Sequence, residues 1–127
     1  YAHDCGTAIN PMRTEGQLEG SAQLALGMAL SEQMLYHKGQ PLNTSFLDYK
    51  LPMSVDMPKM QGGHVETEHI PSVETGPWGA KEAGEGATVA VAPAIINALH
   101  DATGIWFKDL PVTPDKVLKA LQEKKEA

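Results

Sequence analysis

Apolar positions recur at helical spacing from residue 14 to 35. Leu18, Ala22, Ala25, Leu26 and Ala29 share one face by the i, i+3, i+4 rule, and Leu24, Met28 and Leu30 fill the other sides. A stretch that is apolar nearly all round predicts a long buried helix rather than a surface one. Thr14 is its expected N-cap, with Gln17 three residues on as the capping-box partner. Gly16, Gly20 and Gly27 fall inside it, where each costs about 1 kcal/mol against alanine. That cost predicts another backbone or a ligand close to those points.

Elsewhere the period changes. Residues 1–5 alternate and predict a short strand ended by Gly6, and His64–Ile70 alternate with period two after Gly62-Gly63. In that second strand Glu66 and Glu68 share a face opposite Val65 and Thr67, the pattern of solvated surface charges. Between the helix and this strand the chain is loop-rich. Gly39-Gln40-Pro41 breaks it, Ser45–Leu51 reads as a short extended piece, and Pro52 and Pro58 oppose helix. After a loop over 71–86, a second helix begins at Ala87 or Pro93, runs to Ala102 and is capped by Gly104. Ile105–Leu110 predicts a closing strand. Thr113 and Pro114 start a last helix with Val117, Leu118 and Leu121 on its inner side. The expected fold is α+β: a small mixed sheet packed against a long buried helix, a second helix after the 71–86 loop, and a C-terminal helix.

Composition narrows the function classes. A length of 127 residues suits one domain, and 42% hydrophobic with 20% charged residues excludes a disordered chain. The net charge of −6 argues against nucleic acid or an anionic membrane as partner. The single cysteine, Cys5, excludes a disulfide scaffold and points to a reducing, cytoplasmic setting. His3, His37, His64, His69 and His100 are scattered and no CxxC or HExxH pattern is present, so no protein-ligated metal is expected. The apolar run near 87–99 is interrupted by Thr88, Pro93 and Asn97 and is too short to span a bilayer. The opening YAHDCG reads as mid-strand, which predicts a piece of a larger polypeptide or a small subunit.

The chemistry concentrates in Gly79-Ala80-Lys81-Glu82-Ala83-Gly84-Glu85-Gly86. Glu82 and Glu85 lie three residues apart, and glycines on both sides leave Glu85 able to face a ligand directly. Read locally, the same octet is a glycine-rich turn feeding a helix, with both acids near a positive helix N-terminus. The octet alone leaves both readings open.

Four stretches decide between them: Asp4-Cys5-Gly6-Thr7-Ala8-Ile9-Asn10-Pro11, Glu15-Gly16-Gln17-Leu18-Glu19-Gly20, Gly76-Pro77-Trp78-Gly79-Ala80-Lys81-Glu82-Ala83-Gly84-Glu85-Gly86, and Ala92-Pro93-Ala94-Ile95-Ile96-Asn97-Ala98. In this order they resemble the C-terminal end of the molybdenum-binding large subunit of the xanthine dehydrogenase/aldehyde oxidase family. The tail Leu110–Leu118 resembles the ending of bacterial members, as does Gly86, where eukaryotic relatives carry proline. The resemblance covers essentially residues 1–127, as the C-terminal portion of a molybdopterin-binding domain.

The resemblance implies a hydroxylase that oxidises a purine, N-heterocycle, aldehyde or aromatic thioester with oxygen from water. It implies a molybdenum-bearing molybdopterin, in bacteria usually the cytosine dinucleotide form, with iron–sulfur clusters and FAD in other domains or subunits. Glu85 matches the family's catalytic glutamate, a general base whose pKa partial burial would raise. Gln17 matches a glutamine beside the cofactor, and its neutral amide suits oxygen and phosphate groups. Lys81 either meets an anionic cofactor or pairs with Glu82. Gly84 lies at the cofactor as a loop-shaping residue, and Glu82 is left without chemistry. The implied partners are the rest of the molybdenum subunit and the iron–sulfur and flavin subunits. Alone, the chain is expected to be inactive and prone to self-association through exposed apolar surface. The rival reading is a non-catalytic structural or assembly module. A third, an anion site over 84–88, lacks a Walker-type lysine.

Overall fold

A computed structural model describes residues 3–57, 76–86 and 88–126. Its longest element, α1 (Pro11–Leu30), starts one turn earlier than the expected cap. The Asn10 side chain accepts the Arg13 N–H at 3.1 Å, and Pro11 takes the first helical position, where its missing N–H costs nothing. Thr14 is therefore not the cap: its own N–H already donates to the Asn10 carbonyl at 3.0 Å. Gln17 loses its capping-box role for the same reason and is an exposed residue on the helix.

The helix also stops short of Leu35. The N–H groups of Ser31 and Glu32 both return to the Gly27 carbonyl, at 2.9 and 2.8 Å, which closes the last turn. Beyond it the buried Asn43 replaces the helical bonds. Its Oδ1 accepts the Leu35 N–H at 2.8 Å, and its Nδ2 donates to the Gln33 carbonyl at 2.7 Å. The chain then forms an antiparallel hairpin of β1 (Tyr36–His37) and β2 (Gln40–Pro41). Its two loop residues, Lys38 and Gly39, both have positive φ, the geometry that matches strand twist in a two-residue connection.

Ser45–Leu51 is a turn rather than an extended piece, because Asp48 and Tyr49 both donate backbone N–H groups to the Ser45 carbonyl. Side-chain bonds pin this loop to α1. Ser31 Oγ donates to Lys50 O at 2.9 Å, Gln23 Nε2 to Pro52 O at 2.9 Å, and the Tyr49 hydroxyl to Glu32 Oε2 at 2.8 Å. At Gly27 the close neighbours are side chains rather than the expected backbone or ligand: a Cβ on it would lie 1.9 Å from Glu32 Oε1 and 2.9 Å from Pro52 Cδ. At Gly16 and Gly20 no close approach is found, and a Cβ on either would meet nothing within 4 Å.

α2 (Thr88–Thr103) packs against α1 and carries Pro93 inside it. Gly104, at φ +67°, closes α2 by donating its N–H to His100 O at 2.6 Å, the expected C-cap. Ile105–Leu110 forms no strand. Trp106 folds back onto the His100 ring, 3.8 Å between centroids and nearly parallel, and no strand among the described residues pairs with it. The chain then returns to α1, where the buried Val112 donates its N–H to Ala29 O at 2.7 Å. α3 (Pro114–Glu126) follows Thr113 as expected. It is held at its ends, by Lys116 Nζ on Pro111 O and Lys124 Nζ on Thr103 O, and not by a buried stripe; Leu118 is exposed.

The content is α+β, three helices and a small hairpin that is antiparallel among the described residues. α1 is buried along one face at Leu18, Ser21, Ala25 and Ala29, and on the opposite face only at Gly27, beside Pro52. Leu24 and Met28 remain 49% and 47% exposed, because the 43–57 loop reaches α1 only near its C-terminal end, at Gln23, Gly27 and Ser31, and leaves these two side chains half uncovered. Of the strand expected at residues 1–5, the described residues 3–5 form none; the next residue, Gly6, makes a single antiparallel bridge to Ala80, and its φ of +61° turns the chain away after that pair. The strand expected at 64–70, with Glu66 and Glu68, lies outside the described residues. No helix among those residues is long and apolar enough to cross a membrane.

Candidate functional site

The octet is positioned by backbone contact with the segment that precedes α1. Thr7 N–H donates to Gly79 O at 2.9 Å and Lys81 N–H to Cys5 O at 2.8 Å, on either side of the Gly6–Ala80 bridge. Gly6 and Gly79 are both left-handed, and a Cβ on Gly6 would sit 2.1 Å from the Gly79 carbonyl oxygen. Only glycine lets the two loops touch this way.

Lys81 does not make the expected pair with Glu82. Its Nζ is hydrogen-bonded to Asp4 Oδ2, not to Glu82. Asp4 also accepts the Gly6 N–H at 2.9 Å. The Lys81 ammonium, and after it the Gly6 N–H, hold the Asp4 carboxyl below the usual carboxylate range.

Glu82 is more than a bystander. Its Oε1 accepts the backbone N–H groups of Glu85 at 2.7 Å and Gly86 at 3.3 Å. The Glu85 N–H first, then those of Gly86 and Gly84, hold its carboxyl below the usual range. His3 Nε2 lies 2.7 Å from the Glu82 carbonyl oxygen and 3.9 Å from its Oε2. A Cβ on Gly86 would collide with both side chains, 2.5 Å from His3 Cε1 and 2.7 Å from Glu82 Oε2. The sequence signal for this role was the i, i+3 spacing of Glu82 and Glu85, at which a carboxylate reaches a backbone N–H as in a capping box.

Glu85 follows in the same turn. Its carbonyl accepts the Thr88 N–H at 3.0 Å, which feeds the chain into α2. Its side chain is exposed, so the partial burial expected of it is not supplied by the described residues.

Gln17, Lys81 and Gly84 come together in one pocket of about 290 Å³, between the start of α1 and the octet, which Cys5 and Arg13 also line. Glu85 is the residue immediately after the last of these. Ser21 stitches the wall: its hydroxyl donates to Gln17 O at 2.8 Å and also hydrogen-bonds Gly84 O. Arg13 was missed from the sequence, although it stands four residues before Gln17 and so on the same face of α1. A guanidinium, an ammonium and a neutral amide form a donor set that suits an oxygen-rich anionic group.

The sequence family described as molybdopterin cofactor-binding domain matches residues 1–58. The nicotine 6-hydroxylase large subunit of Paenarthrobacter nicotinovorans is 40% identical over 121 residues, which cover 92% of this chain and 14% of that protein. The xanthine dehydrogenase molybdenum-binding subunit of Escherichia coli O157:H7 is 37% identical over 117 residues, 91% of this chain and 15% of that one. The crystal structure of quinoline 2-oxidoreductase from Pseudomonas putida 86 superposes with a TM-score of 0.80 at 33% identity, over 94% of this chain and 15% of that one. The chain thus spans about one seventh of the length of these relatives.

Proposed function

The chain belongs to the molybdenum hydroxylase family of xanthine dehydrogenase and its relatives, and on that premise we propose that it supplies the general base, Glu85, of a molybdopterin-dependent active site. Residues 1–127 are, in this reading, the C-terminal portion of the molybdopterin-binding domain. The carrying observation is that Glu85 directly follows Gly84, which with Gln17 and Lys81 lines one pocket.

The donor set fits the cofactor. Arg13 and Lys81 would balance its anionic groups, and the Gln17 amide would bond its oxygen and nitrogen atoms without adding net charge. The cytosine dinucleotide form is the one proposed. When bound, the cofactor supplies the two-electron oxidation that places a water-derived oxygen on an electron-poor carbon. Glu85 takes up a proton at its carboxylate during that step, and its exposed position leaves the side chain open to groups contributed from outside this chain. Substrates of the class are purines, N-heterocycles, aldehydes and aromatic thioesters.

The remaining six-sevenths of a relative-sized subunit is the proposed partner for the uncovered side of α1, where Met12, Leu24 and Met28 are exposed beside Gly16 and Gly20. Iron–sulfur and flavin subunits complete the electron path, in the cytoplasm. The test is Glu85→Gln in the assembled enzyme. Turnover should fall by about 10²–10⁴-fold, with molybdenum and pterin content unchanged. Wild-type turnover in that variant would make the chain a non-catalytic structural or assembly module instead.

A further inference from the structure

The first acid of the octet, Glu82, has no role in that reading, yet it has the denser set of contacts. Glu82 Oε1 receives the Glu85 N–H at 2.7 Å and the Gly86 N–H at 3.3 Å. Its main chain is fixed from the other side by His3 Nε2, which at 2.7 Å from the Glu82 carbonyl donates the bond. The space taken by these two side chains is the space a Cβ on Gly86 would need. Lys81 does not compete for the carboxylate, being turned to Asp4.

We propose that Glu82 is a positioning residue for the base: its carboxylate, backed by His3, gathers the 84–86 backbone into the turn that presents the Glu85 side chain. The inference rests on Glu85 being that base. A carboxylate accepting two N–H groups gives charge-assisted bonds, stronger than neutral ones. Bonds to the N–H of Glu85 itself, and to that of the next residue, fix the Glu85 Cα on both sides. The Glu85 carbonyl is fixed in turn by the Thr88 N–H, so the main chain around the base is held at three points. Proton transfer depends steeply on such placement: a displacement of 1 Å can cost about 10²-fold in rate.

The experiment compares Glu82→Ala, Glu82→Gln and Glu85→Gln in the assembled enzyme. It follows kcat, KM, molybdenum content and deuterium exchange of the 84–86 amides. Glu82→Ala should lower kcat by about 10–100-fold with KM and molybdenum content unchanged, and the Glu85 and Gly86 amides should exchange faster. Glu82→Gln keeps an oxygen that accepts the same N–H groups, so it should restore most of kcat and the slow exchange. An inactive Glu85→Gln beside a fully active Glu82→Ala overturns this inference alone. A fully active Glu85→Gln overturns the base assignment, and this inference with it. If Glu82→Ala loses the cofactor, Glu82→Gln decides. Near-normal kcat with slow exchange supports the anchor, and a loss of tenfold or more with cofactor retained and exchange unchanged overturns it.

Discussion

Two glycine-bearing regions of this chain look alike in sequence and are opposite in structure. Where the 3–10 segment meets the octet, Gly6, Gly76 and Gly86 are each so enclosed that a Cβ would fall within 2.5 Å of a neighbouring atom. On the outer side of α1, Gly16 and Gly20 face open space. The first region is finished within the chain, by backbone bonds, the Asp4–Lys81 pair and the Glu82 anchor. The second has its helix but no covering surface among the described residues, and Met12 beside it is 76% exposed. A glycine in a motif therefore marks a contact only once the other side of that contact is known. Here the complete half carries the proposed chemistry and the bare half carries the proposed docking face.

The strongest way to break that contrast is Gly6→Ala. The added Cβ must displace a backbone carbonyl that lies 2.1 Å away, and it must hold φ near +61°. That carbonyl is backbone, not the end of a flexible side chain that could swing aside. Left-handed strain and the clash together predict a loss of about 3 kcal/mol, read from the urea midpoint, with opening of the Gly6–Ala80 bridge. A change within about 0.5 kcal/mol, the level of an ordinary surface substitution, would show that the junction is looser than its geometry.

The same contrast explains what could be read from the sequence. Local signals held: Gly104 ends α2, and Thr113 and Pro114 open α3. Asn10-Pro11, a pair that favours turns, is the cap and first residue of α1, because residues that favour turns are also those that favour helix starts. Periodicity identified α1 but overstated its burial. An apolar residue shows what a position tolerates, whereas burial also needs a neighbour. Ile105–Leu110 failed similarly, since a strand exists only with a partner and Trp106 found the His100 ring instead. The pocket was legible in three of its residues through family motifs, but its assembly was not. The Ser21–Gly84 bond joins residues 63 positions apart, and no local pattern announces it.

Gly16→Ala tests the open side, with a smaller effect of opposite sign. Alanine gains about 1 kcal/mol over glycine in a helix interior, and nothing lies within 4 Å of the new Cβ to oppose it. The thermal midpoint of the chain should rise by roughly 3–5 °C. The bulkier Gly16→Leu should leave the isolated chain folded and lower the yield of assembled, molybdenum-loaded enzyme, because the face proposed to receive the rest of the subunit is then obstructed. Assembly unaffected by leucine at both 16 and 20 would move the docking face elsewhere on the chain.

The smallest expected effect lies at the surface of the finished region. Asp4 has its carboxyl pKa lowered, first by the Lys81 ammonium and next by the Gly6 N–H. A group whose pKa is lower folded than unfolded adds stability that is fully present above its unfolded pKa and fades as pH falls through the folded one. Lys81→Met removes the larger cause and leaves the smaller. The Asp4 carboxyl should then titrate closer to the ordinary range, which a carboxyl-carbon NMR titration reads directly. The loss of stability on acidification should become shallower but not vanish, since Glu82 and Asp115 also have lowered carboxyl pKa values. Because the pair is partly exposed, the difference between wild type and variant should shrink as salt is raised. An Asp4 titration that Lys81→Met does not move would mean that the backbone contacts alone set this corner. The ion pair would then have no part in closing the junction.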